Sequence, residues 1–375
     1  MSDSLKDGFI EHWLNFRERC LTSPRFHAFA SWFWPTRPVV RQRQSQLFDI
    51  VSGFVYSQVL FACLESGALE AVRQPGKSLK ALAESLDLPT DETRRLADAA
   101  VSLRLMEKCG ALYRLGDLGS VVLINPGVQA MVRHHLAFYR DLAQPLALLK
   151  NGRGDTELSR YWAYALSDDP AQSSADDVSA YSSLMAESQT MVAQEVLAAF
   201  NFRDHDVVLD VGGGEGAFLT QVAQAHEHLK LRLFDLPQVA ARADRALAAA
   251  GLAGRSQTFG GSFFDDSLPG GADLASLVRI LHDHDDDDAQ AILAAVFAAL
   301  PSGGRLLIAE PMSTGGSAHR ISDAYFNFYL YAMGSGRPRT PKALISMAKR
   351  AGFLSARRIS TRAPLITSLI VAEKA

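Results

Sequence analysis

The sequence predicts a mainly α-helical N-terminal domain with a winged helix, followed by an α/β domain with a doubly wound, mostly parallel sheet. Three observations lead to this fold class. The chain has 375 residues, which corresponds to about two domains. Its first half contains two short amphipathic helices before a hairpin signal, and its second half alternates strands with helices. We place the domains at residues 1–170 and 171–375.

The winged helix is predicted from a short stretch of the first half. Ser78 is placed to cap one helix, and a second helix is predicted over Thr90–Lys108. Alternating residues around Tyr113, between glycine turns at Gly110 and Gly116–Gly119, predict the hairpin. The second helix carries four acidic and four basic residues, and the whole chain has a net charge of −3. Both values argue against nucleic acid as the main partner.

The second half shows the alternation of strands and helices that is typical of a parallel sheet. A polar stretch, Ser167–Ala180, predicts the loop at the domain boundary, and a helix is predicted over Tyr181–Phe200. Seven strands are predicted, of which the last two form an antiparallel hairpin at one edge of the sheet. They lie at Val207–Val211, Leu231–Phe234, near Gln257, Leu274–Leu281, Arg305–Ala309, Arg357–Ser360 and Leu369–Ala372.

Cysteine usage and hydropathy indicate the compartment. Cys20, Cys63 and Cys109 lie far apart, without the spacing of a metal site or a disulfide framework, which favours a reducing environment. The first residues mix acids, bases and aromatics, unlike a signal peptide. No stretch has the roughly 18 uninterrupted apolar residues of a membrane-spanning helix. We therefore expect a cytoplasmic protein that is soluble or lies on a membrane surface.

A glycine-rich loop after the first of the seven strands predicts a nucleoside cofactor site. Gly212, Gly214 and Gly216 let the backbone turn sharply and let a ligand approach the main chain. The spacing alone also fits a dinucleotide fingerprint, or a turn that only packs a strand on a helix. Asp210 favours S-adenosylmethionine over a dinucleotide, because a carboxylate would repel a pyrophosphate and attract cationic amino and sulfonium groups.

Four polar residues fall at the carboxyl ends of predicted strands, the edge where open α/β sheets bind ligands. They are Asp210, Asp235, His282 and Glu310. Asp235 can accept hydrogen bonds from ribose hydroxyls, cap the helix that begins at Leu236–Pro237, or do both. The imidazole of His282 is suited to take a hydroxyl proton during methyl transfer, and either Glu310 or Asp283 would orient its ring.

The acidic run Asp285–Asp288 is compatible with a divalent metal ion. The same carboxylates directly precede the predicted helix Ala289–Leu300, where they can bind free N–H groups and oppose the helix dipole. We favour this helix interpretation and expect no catalytic metal.

Four motifs, in this order and spacing, resemble the class I small-molecule O-methyltransferases that carry an N-terminal dimerisation domain. They are Asp210–Gly214, Phe234–Pro237, Ile280–Asp283 and Leu300–Gly304, and the resemblance covers nearly the whole chain. It implies a metal-free, S-adenosylmethionine-dependent enzyme, a homodimer formed through the winged-helix domain, and a base at His282 that is oriented by Glu310. It also implies that Ser262 and Phe263 flank the adenine. We add Leu236 and Arg279 to the expected cofactor site.

The sequence departs from the family pattern at two positions. His284 stands where the family has tryptophan after the His-Asp pair, which alters packing over the cofactor. Pro338 stands where plant members have a second glutamate before an Arg-Thr pair, here Arg339 and Thr340. The support of the base by two glutamates is therefore in doubt.

The N-terminal motifs resemble the carotenoid branch of this family, which makes a methyl ether from the tertiary hydroxyl of an acyclic carotenoid. These motifs are Arg37–Pro38, Arg41–Arg43, Phe48–Asp49 and Gly53–Gln58. Methylation of a bacteriochlorophyllide ring carbon or of a phenol are the alternatives within the same chemistry. A winged-helix regulator that senses S-adenosylmethionine is a remote alternative.

Two aromatic segments fit a lipophilic substrate. Aromatic residues crowd one predicted helix over Tyr325–Tyr331, where core packing is an equally good explanation. Further aromatics over Phe26–Trp34 precede Arg37, Arg41 and Arg43. This segment either lies on a membrane surface or wraps around a dimer partner. The expected location is the cytoplasm, with peripheral contact to the inner, photosynthetic membrane if the first alternative holds.

Overall fold

The structure is a computed structural model that describes residues 2–160, 189–313, 321–364 and 366–375. It divides into two compact units, Met1–Leu123 and Ile124–Ala375. The expected boundary at residues 170 and 171, the polar loop Ser167–Ala180 and the first part of the helix Tyr181–Phe200 lie outside the described residues. The division falls earlier because residues just after 123 pack within the second unit. Phe138, for example, contacts Tyr329 with ring centroids 5.4 Å apart.

The first unit combines helices with a small antiparallel sheet, as predicted for a winged helix. Its sheet has the order β1, β3, β2, with β1 at Lys77–Ser78, β2 at Met106–Cys109 and β3 at Leu112–Leu115. Ser78 caps its helix as predicted, because its side chain accepts the N–H of Ala81. The helices are Ser2–Thr22, Pro24–Trp32, Arg37–Glu65, Ala68–Ala71, Leu79–Leu86, Thr90–Ser102 and Asp117–Leu123.

Two boundaries of the winged helix differ from the prediction. The second helix ends at Ser102 rather than Lys108, because Arg104 adopts a left-handed φ of 60° and buried Met106 then starts β2. Gly119 lies inside a helix rather than in a turn. A Cβ there would collide with the carbonyl of Leu105, so glycine permits close packing at this position.

The second unit contains the predicted seven-stranded sheet. The strands are β4 Val207–Val211, β5 Lys230–Asp235, β6 Ser256–Gly260, β7 Leu274–Val278, β8 Arg305–Glu310, β9 Ser355–Ile359 and β10 Ser368–Glu373. Their order is β6, β5, β4, β7, β8, β10, β9. All neighbouring pairs from β6 to β8 are parallel, and β10 is antiparallel to both β8 and β9. The fold class is confirmed, including the C-terminal hairpin.

Helices cover both faces of this sheet, which explains its nearly continuous apolar strands. Val208 and Leu233 pack on one face with Phe218, whereas Leu209 packs on the other face with Ile292. Strand order runs outward in opposite directions from β4 and from β7, so the topological switch point lies between these two strands. Such sheets bind ligands at this position. The helices are Pro126–Asp141, Pro145–Asn151, 189–199, Ala217–Ala225, Pro237–Ala249, Asp286–Ala299, Phe326–Met333 and Pro341–Arg350.

One helix of the first unit corrects an expectation about membranes. Arg37–Glu65 is long and apolar enough to cross a membrane by length and composition, and most of its apolar part is exposed in the single chain. The expectation that no segment qualifies considered only uninterrupted apolar runs, and it is wrong by this broader measure. Gly53, Ser57 and Gln58 interrupt the run without adding charge.

Candidate active site

The loop after β4 has the open backbone that a cofactor needs. Gly212, Gly214 and Gly216 have φ values of 71°, 57° and 83°, a region that favours glycine. A Cβ on Gly212 would lie 2.5 Å from Ile280, and one on Gly216 would lie 3.2 Å from Leu247, so these two glycines serve packing. Among the described residues, a Cβ on Gly214 would meet nothing within 4 Å. Gly214 is therefore the glycine whose main chain is open to a ligand.

Asp210 lies beneath this loop as a buried carboxylate. Its Oδ1 accepts a hydrogen bond of 2.6 Å from the Ser276 hydroxyl. Its Oδ2 is buried and has no hydrogen-bond partner within the described part of the chain, and a Cβ on Gly213 would lie 2.6 Å from it. Burial raises the pKa of Asp210 to about 7. An amino or other cationic group of a cofactor would satisfy this oxygen, so the residues fit S-adenosylmethionine.

Asp235 joins the end of β5 to the same loop. Its Oδ2 accepts the N–H of Gly214 and its Oδ1 accepts the N–H of Leu236, each at 2.8 Å. The alternative role as an N-cap is wrong, because Leu236 is the N-cap of the helix Pro237–Ala249. Burial raises the pKa of Asp235 above the usual carboxyl value. Each of its oxygens keeps a lone pair that can accept a ribose hydroxyl.

Ser262 and Phe263 follow β6, and Phe263 packs in a small aromatic cluster that includes His284. The N–H of Ser262 donates to Asp266 at 2.9 Å. Phe263 contacts Phe264 and His284 edge to face, with ring centroids 4.9 and 5.5 Å apart. Burial lowers the pKa of His284, so its ring packs as a neutral aromatic group. The histidine thus takes an aromatic packing position where the family has tryptophan.

The turn after β7 carries His282. The strand ends at Val278 rather than at the predicted Leu281, because Arg279 adopts a left-handed φ of 58° and redirects the chain. Leu281–Asp283 then forms a single 3-10 turn. His282 therefore lies on a turn beyond the strand and not at the strand end itself.

Two acids contact the ring of His282, so both predicted partners are present. Its Nε2 lies 3.0 Å from Asp283 Oδ1, and its Nδ1 lies 3.6 Å from Glu310 Oε2. Glu310 also accepts the backbone N–H of His282 at 3.1 Å. Burial by itself would lower the pKa of His282, but the two carboxylates outweigh it and raise the pKa to about 9. The two carboxylates therefore favour the protonated form of the ring in this arrangement.

The segment Ser335–Arg339 holds this turn in place by donating hydrogen bonds to the carbonyl groups of the turn. Ser335 Oγ donates to the Asp283 carbonyl at 2.6 Å, and the N–H of Arg337 donates to the His282 carbonyl at 2.9 Å. The buried guanidinium of Arg339 donates to the carbonyls of Leu281 and His284 at 2.5 and 2.7 Å. Pro338, at the position of the second glutamate, belongs to this supporting segment. Sequence reasoning noted Arg339 only as part of a motif and missed its contact with the turn.

Two acids of the run at the start of the following helix form ion pairs with arginines. Asp285 contacts Arg153 at 2.5 Å, and Asp286 contacts Arg339 at 2.8 Å. The helix begins at Asp286 rather than at the predicted Ala289, so Asp286–Asp288 lie in its first turn, where they oppose the helix dipole. The N-cap Asp285 makes no side-chain capping hydrogen bond, so the predicted capping is wrong at this residue. Among the described residues, no group of three or more potential metal ligands is present.

A cluster of histidines and tyrosines lies on the Phe326 side of His282. His134 bonds to the Tyr329 hydroxyl at 2.8 Å, and His135 bonds to the Tyr325 hydroxyl at 2.7 Å. Burial lowers the pKa of both histidines to about 4, so they are neutral. The rings of Phe326 and His282 have centroids 6.5 Å apart. No sequence motif marks the two histidines, which lie far upstream of the catalytic motifs.

Arg279 lies close to this cluster. Its charge lowers the pKa of His134 and opposes the rise in the pKa of Tyr325. The sequence assigned Arg279 to the cofactor site, whereas the structure places it within electrostatic reach of the histidine and tyrosine cluster.

Known proteins match both parts of the chain. The O-methyltransferase domain family matches residues 139–354, and the O-methyltransferase dimerisation domain family matches residues 48–125. Demethylspheroidene O-methyltransferase of Rhodobacter capsulatus is 43% identical over 96% of this chain and 90% of its own length. The protein of the same name from Cereibacter sphaeroides is 40% identical over 94% of this chain and 93% of its own.

A solved structure has the same fold. Human N-acetylserotonin methyltransferase in complex with SAM matches with a TM-score of 0.72 and 24% identity, over 89% of this chain and 98% of that chain. The fold, the cofactor loop and the sequence matches define the class of protein, an S-adenosylmethionine-dependent methyltransferase. The chain belongs to the O-methyltransferase family that carries a dimerisation domain. This domain indicates a homodimer.

Proposed function

We propose that the protein transfers a methyl group from S-adenosylmethionine to the tertiary hydroxyl of an acyclic hydroxycarotenoid, as in demethylspheroidene or hydroxyneurosporene. The observation that carries this proposal is the 43% identity to a demethylspheroidene O-methyltransferase over 96% of the chain. The cluster of neutral histidines and tyrosines beside His282 supports it, because neutral side chains next to a catalytic group suit an uncharged, lipophilic acceptor.

The cofactor is expected at the carboxyl edge of β4, β5 and β6. We assign the cationic amino group to Asp210, the close main-chain approach to Gly214, and the ribose hydroxyls to Asp235. Gly212 and Gly216 shape the cofactor loop by packing against Ile280 and Leu247. Leu236, Ser262 and Phe263 complete the adenosine side, and Arg279 is assigned to the edge nearer the acceptor. The cofactor supplies an electrophilic methyl group on sulfonium sulfur.

The catalytic part is the group of His282, Asp283 and Glu310. Catalysis by these residues consists of holding the acceptor oxygen in line with the methyl carbon and removing the hydroxyl proton. Glu310 is fully buried, accepts the backbone N–H of His282 and lies 3.6 Å from its ring. The Ser335–Arg339 segment fixes the turn. The proton is expected to move to the pair of His282 and Asp283.

Incubation with labelled S-adenosylmethionine and two acceptors in detergent tests the function. The acceptors are a hydroxylated acyclic carotenoid and a bacteriochlorophyllide, and the products are separated by chromatography. We expect label in the carotenoid as a methyl ether. Label in the tetrapyrrole would move the reaction to a ring carbon, and label in neither, with cofactor bound, would point to a phenolic acceptor.

We further propose that the homodimer lies on the cytoplasmic face of the inner, photosynthetic membrane. Trp32 and Trp34 are 71% and 76% exposed, and Phe29 is 53% exposed. Residues 23–47 contain four arginines and no acidic residue. Exposed tryptophans beside arginines suit an anionic lipid surface. This segment precedes residue 48, where the match to the dimerisation domain begins.

Replacing Trp32 and Trp34 by serine is expected to reduce binding to anionic liposomes at least about tenfold, since each exposed aromatic ring contributes apolar area to the interface. Sedimentation with vesicles that contain phosphatidylglycerol measures this effect. Leu354→Ser is the matched control, because Leu354 is 72% exposed but lies in the second unit. Unchanged liposome binding with a loss of dimer would assign the segment to the partner subunit instead.

A further inference from the structure

Arg153 joins the two segments of the chain that flank the catalytic turn, Leu281–Asp283. Its guanidinium binds both carboxylate oxygens of Asp285, at 2.5 and 2.7 Å, and it also donates to the Gly336 carbonyl at 3.3 Å. The N–H of Gly336 donates in turn to Asp285 Oδ1 at 3.1 Å. Each of the three residues is therefore bonded to both of the others.

Both partners of Arg153 lie directly beside the catalytic turn. Asp285 comes three residues after His282 and is the N-cap of the following helix. Gly336 packs so closely against the His282 carbonyl that a Cβ on this glycine would collide with it. A shift of either partner would therefore move the turn that carries His282.

The loop that carries Arg153 also contacts the helix on the acceptor side of the site, Phe326–Met333. The Arg153 guanidinium lies over the Tyr331 ring, 5.7 Å from its centroid. The hydroxyl of buried Thr156 donates to the Ala332 carbonyl. Tyr331 and Ala332 belong to this helix, and the ring at its first position lies beside the catalytic histidine. One short loop is thus bonded both to the acceptor-side helix and to the neighbours of the catalytic turn.

The form of these contacts favours a role in positioning over a role in stability. The side chain of Arg153 is 32% exposed and that of Asp285 is 54% exposed. Ion pairs with this exposure contribute little to the free energy of folding. A bidentate contact between guanidinium and carboxylate nevertheless restricts both distance and orientation, which a single-point contact does not. Loss of this contact is therefore expected to displace the turn more than it destabilises the protein.

We propose that Arg153 is a positioning residue that fixes the catalytic turn relative to the acceptor-side helix Phe326–Met333. It acts through Asp285 and Gly336 and takes no part in the proton transfer itself. This inference rests on the proposed O-methylation, in which His282 must lie within reach of the acceptor hydroxyl. The rate depends steeply on such a distance, since a displacement of about 1 Å can lower it about 100-fold.

Arg153→Met removes the guanidinium and keeps a long side chain beside Tyr331. We expect kcat to fall at least about tenfold, while the KM of the acceptor and the Kd of S-adenosylhomocysteine change less than about threefold. Arg153→Lys is expected to recover part of kcat, because an ammonium group can bind one oxygen of Asp285 but not both oxygens together with the Gly336 carbonyl. A kcat of Arg153→Met within about twofold of the wild-type value would overturn the inference.

Arg140→Met is the matched control. Arg140 joins the same loop to the helix Pro126–Asp141 through an ion pair with Glu157 at 2.9 Å, and its side chain is 61% exposed. The control also loses one arginine and one exposed ion pair, but at a contact that does not include Asp285. We expect its kcat to stay within about twofold of wild type, with small and similar changes in the unfolding temperature of both variants. Equal losses of kcat in the two variants would mean that Arg153 only helps the loop to fold, and would overturn the inference.

A double-mutant cycle tests whether Arg153 acts through Asp285. Asp285→Asn alone is expected to lower kcat by a factor similar to that of Arg153→Met. The combined variant is expected to lose no more than the larger of the two single losses, because both substitutions remove the same contact. Losses that multiply would mean that the two residues act independently, which would contradict the proposal.

Hydrogen exchange measures the order of the turn without any acceptor. In protein saturated with S-adenosylhomocysteine, peptides that cover residues 280–286 and 333–339 are expected to exchange at least about tenfold faster in Arg153→Met than in wild type. The same peptides of Arg140→Met are expected to exchange at the wild-type rate. Unchanged exchange in Arg153→Met would refute the inference even if neither acceptor is methylated. Faster exchange without methylation of either acceptor would support the positioning role and assign the failure to the proposed function.

Discussion

Replacing Gly336 by alanine is expected to lower kcat about 100-fold in a protein that still folds, because a displacement of about 1 Å at a catalytic group has an effect of this size. Gly336 has a φ of 81° and lies against the turn that carries His282 and Asp283. An added Cβ would collide with the His282 carbonyl and would lie 2.6 Å from the carbonyl carbon of Asp283. Because these are backbone atoms, the whole turn must move.

Gly334→Ala is the matched control for this prediction. Gly334 also has a left-handed φ, 101°, so alanine introduces similar backbone strain of about 1–2 kcal/mol. Within the part of the chain that the structure describes, its added Cβ would contact only Ser159, at 3.8 Å. Steady-state kinetics and thermal unfolding with S-adenosylhomocysteine measure both variants. Equal losses of kcat in the two would mean that backbone strain, and not the position of the catalytic turn, explains the effect.

The central strands of the sheet could be predicted from sequence because each is a short, mostly apolar run, whereas the edge strands β6 and β9 are more polar. Val207–Val211 was predicted at the bounds that the structure has. The strand β7 was predicted too long, because Ile280 and Leu281 are apolar and continue the pattern. What ends the strand is the left-handed conformation of Arg279, which tertiary contacts impose and which residue type does not signal. A run of apolar residues indicates burial and not strand structure, and at β7 the apolar run continues beyond the end of the strand.

The candidate site also contains residues that could be predicted from sequence and residues that could not. Asp210, Asp235 and Glu310 were predicted because each lies at the carboxyl end of a strand, the edge where such sheets bind ligands. His134 and His135 were missed, since they lie on a helix with no motif, and only folding brings them to Tyr329 and Tyr325. Sequence spacing predicts residues that a sheet edge aligns. It does not predict residues that reach the site from a separate helix.

Asp210→Asn is expected to weaken binding of S-adenosylmethionine by about tenfold to 100-fold at pH 8, a loss of about 1.4–2.8 kcal/mol. The asparagine amide has nearly the same shape and can still accept the hydroxyl of Ser276. It lacks the negative charge that the unpartnered Oδ2 offers to a cationic group. Isothermal titration with S-adenosylmethionine measures the change in Kd.

The same substitution is expected to stabilise the ligand-free protein above pH 7. Burial raises the pKa of Asp210 in the folded state from 3.8 to about 7, so the folded state binds more protons than the unfolded state between these values. The contribution of Asp210 to stability therefore falls as pH rises from about 4 to about 7, by an upper limit of about 4 kcal/mol. Asparagine removes this dependence, and urea unfolding at pH 5 and pH 8 measures it.

Binding by the wild-type protein should show the opposite dependence on pH. Below pH 7 Asp210 becomes protonated, so the affinity for S-adenosylmethionine is expected to fall as the pH is lowered, whereas that of Asp210→Asn stays level. Ser276→Ala is the control, because it removes the hydrogen bond to Oδ1 and keeps the carboxylate; the loss of affinity should then begin at a higher pH. If Asp210→Asn destabilised the ligand-free protein at pH 8 and bound cofactor normally, the carboxylate would be a structural group. In that case the carboxylate would stabilise the empty fold and would not hold the cofactor.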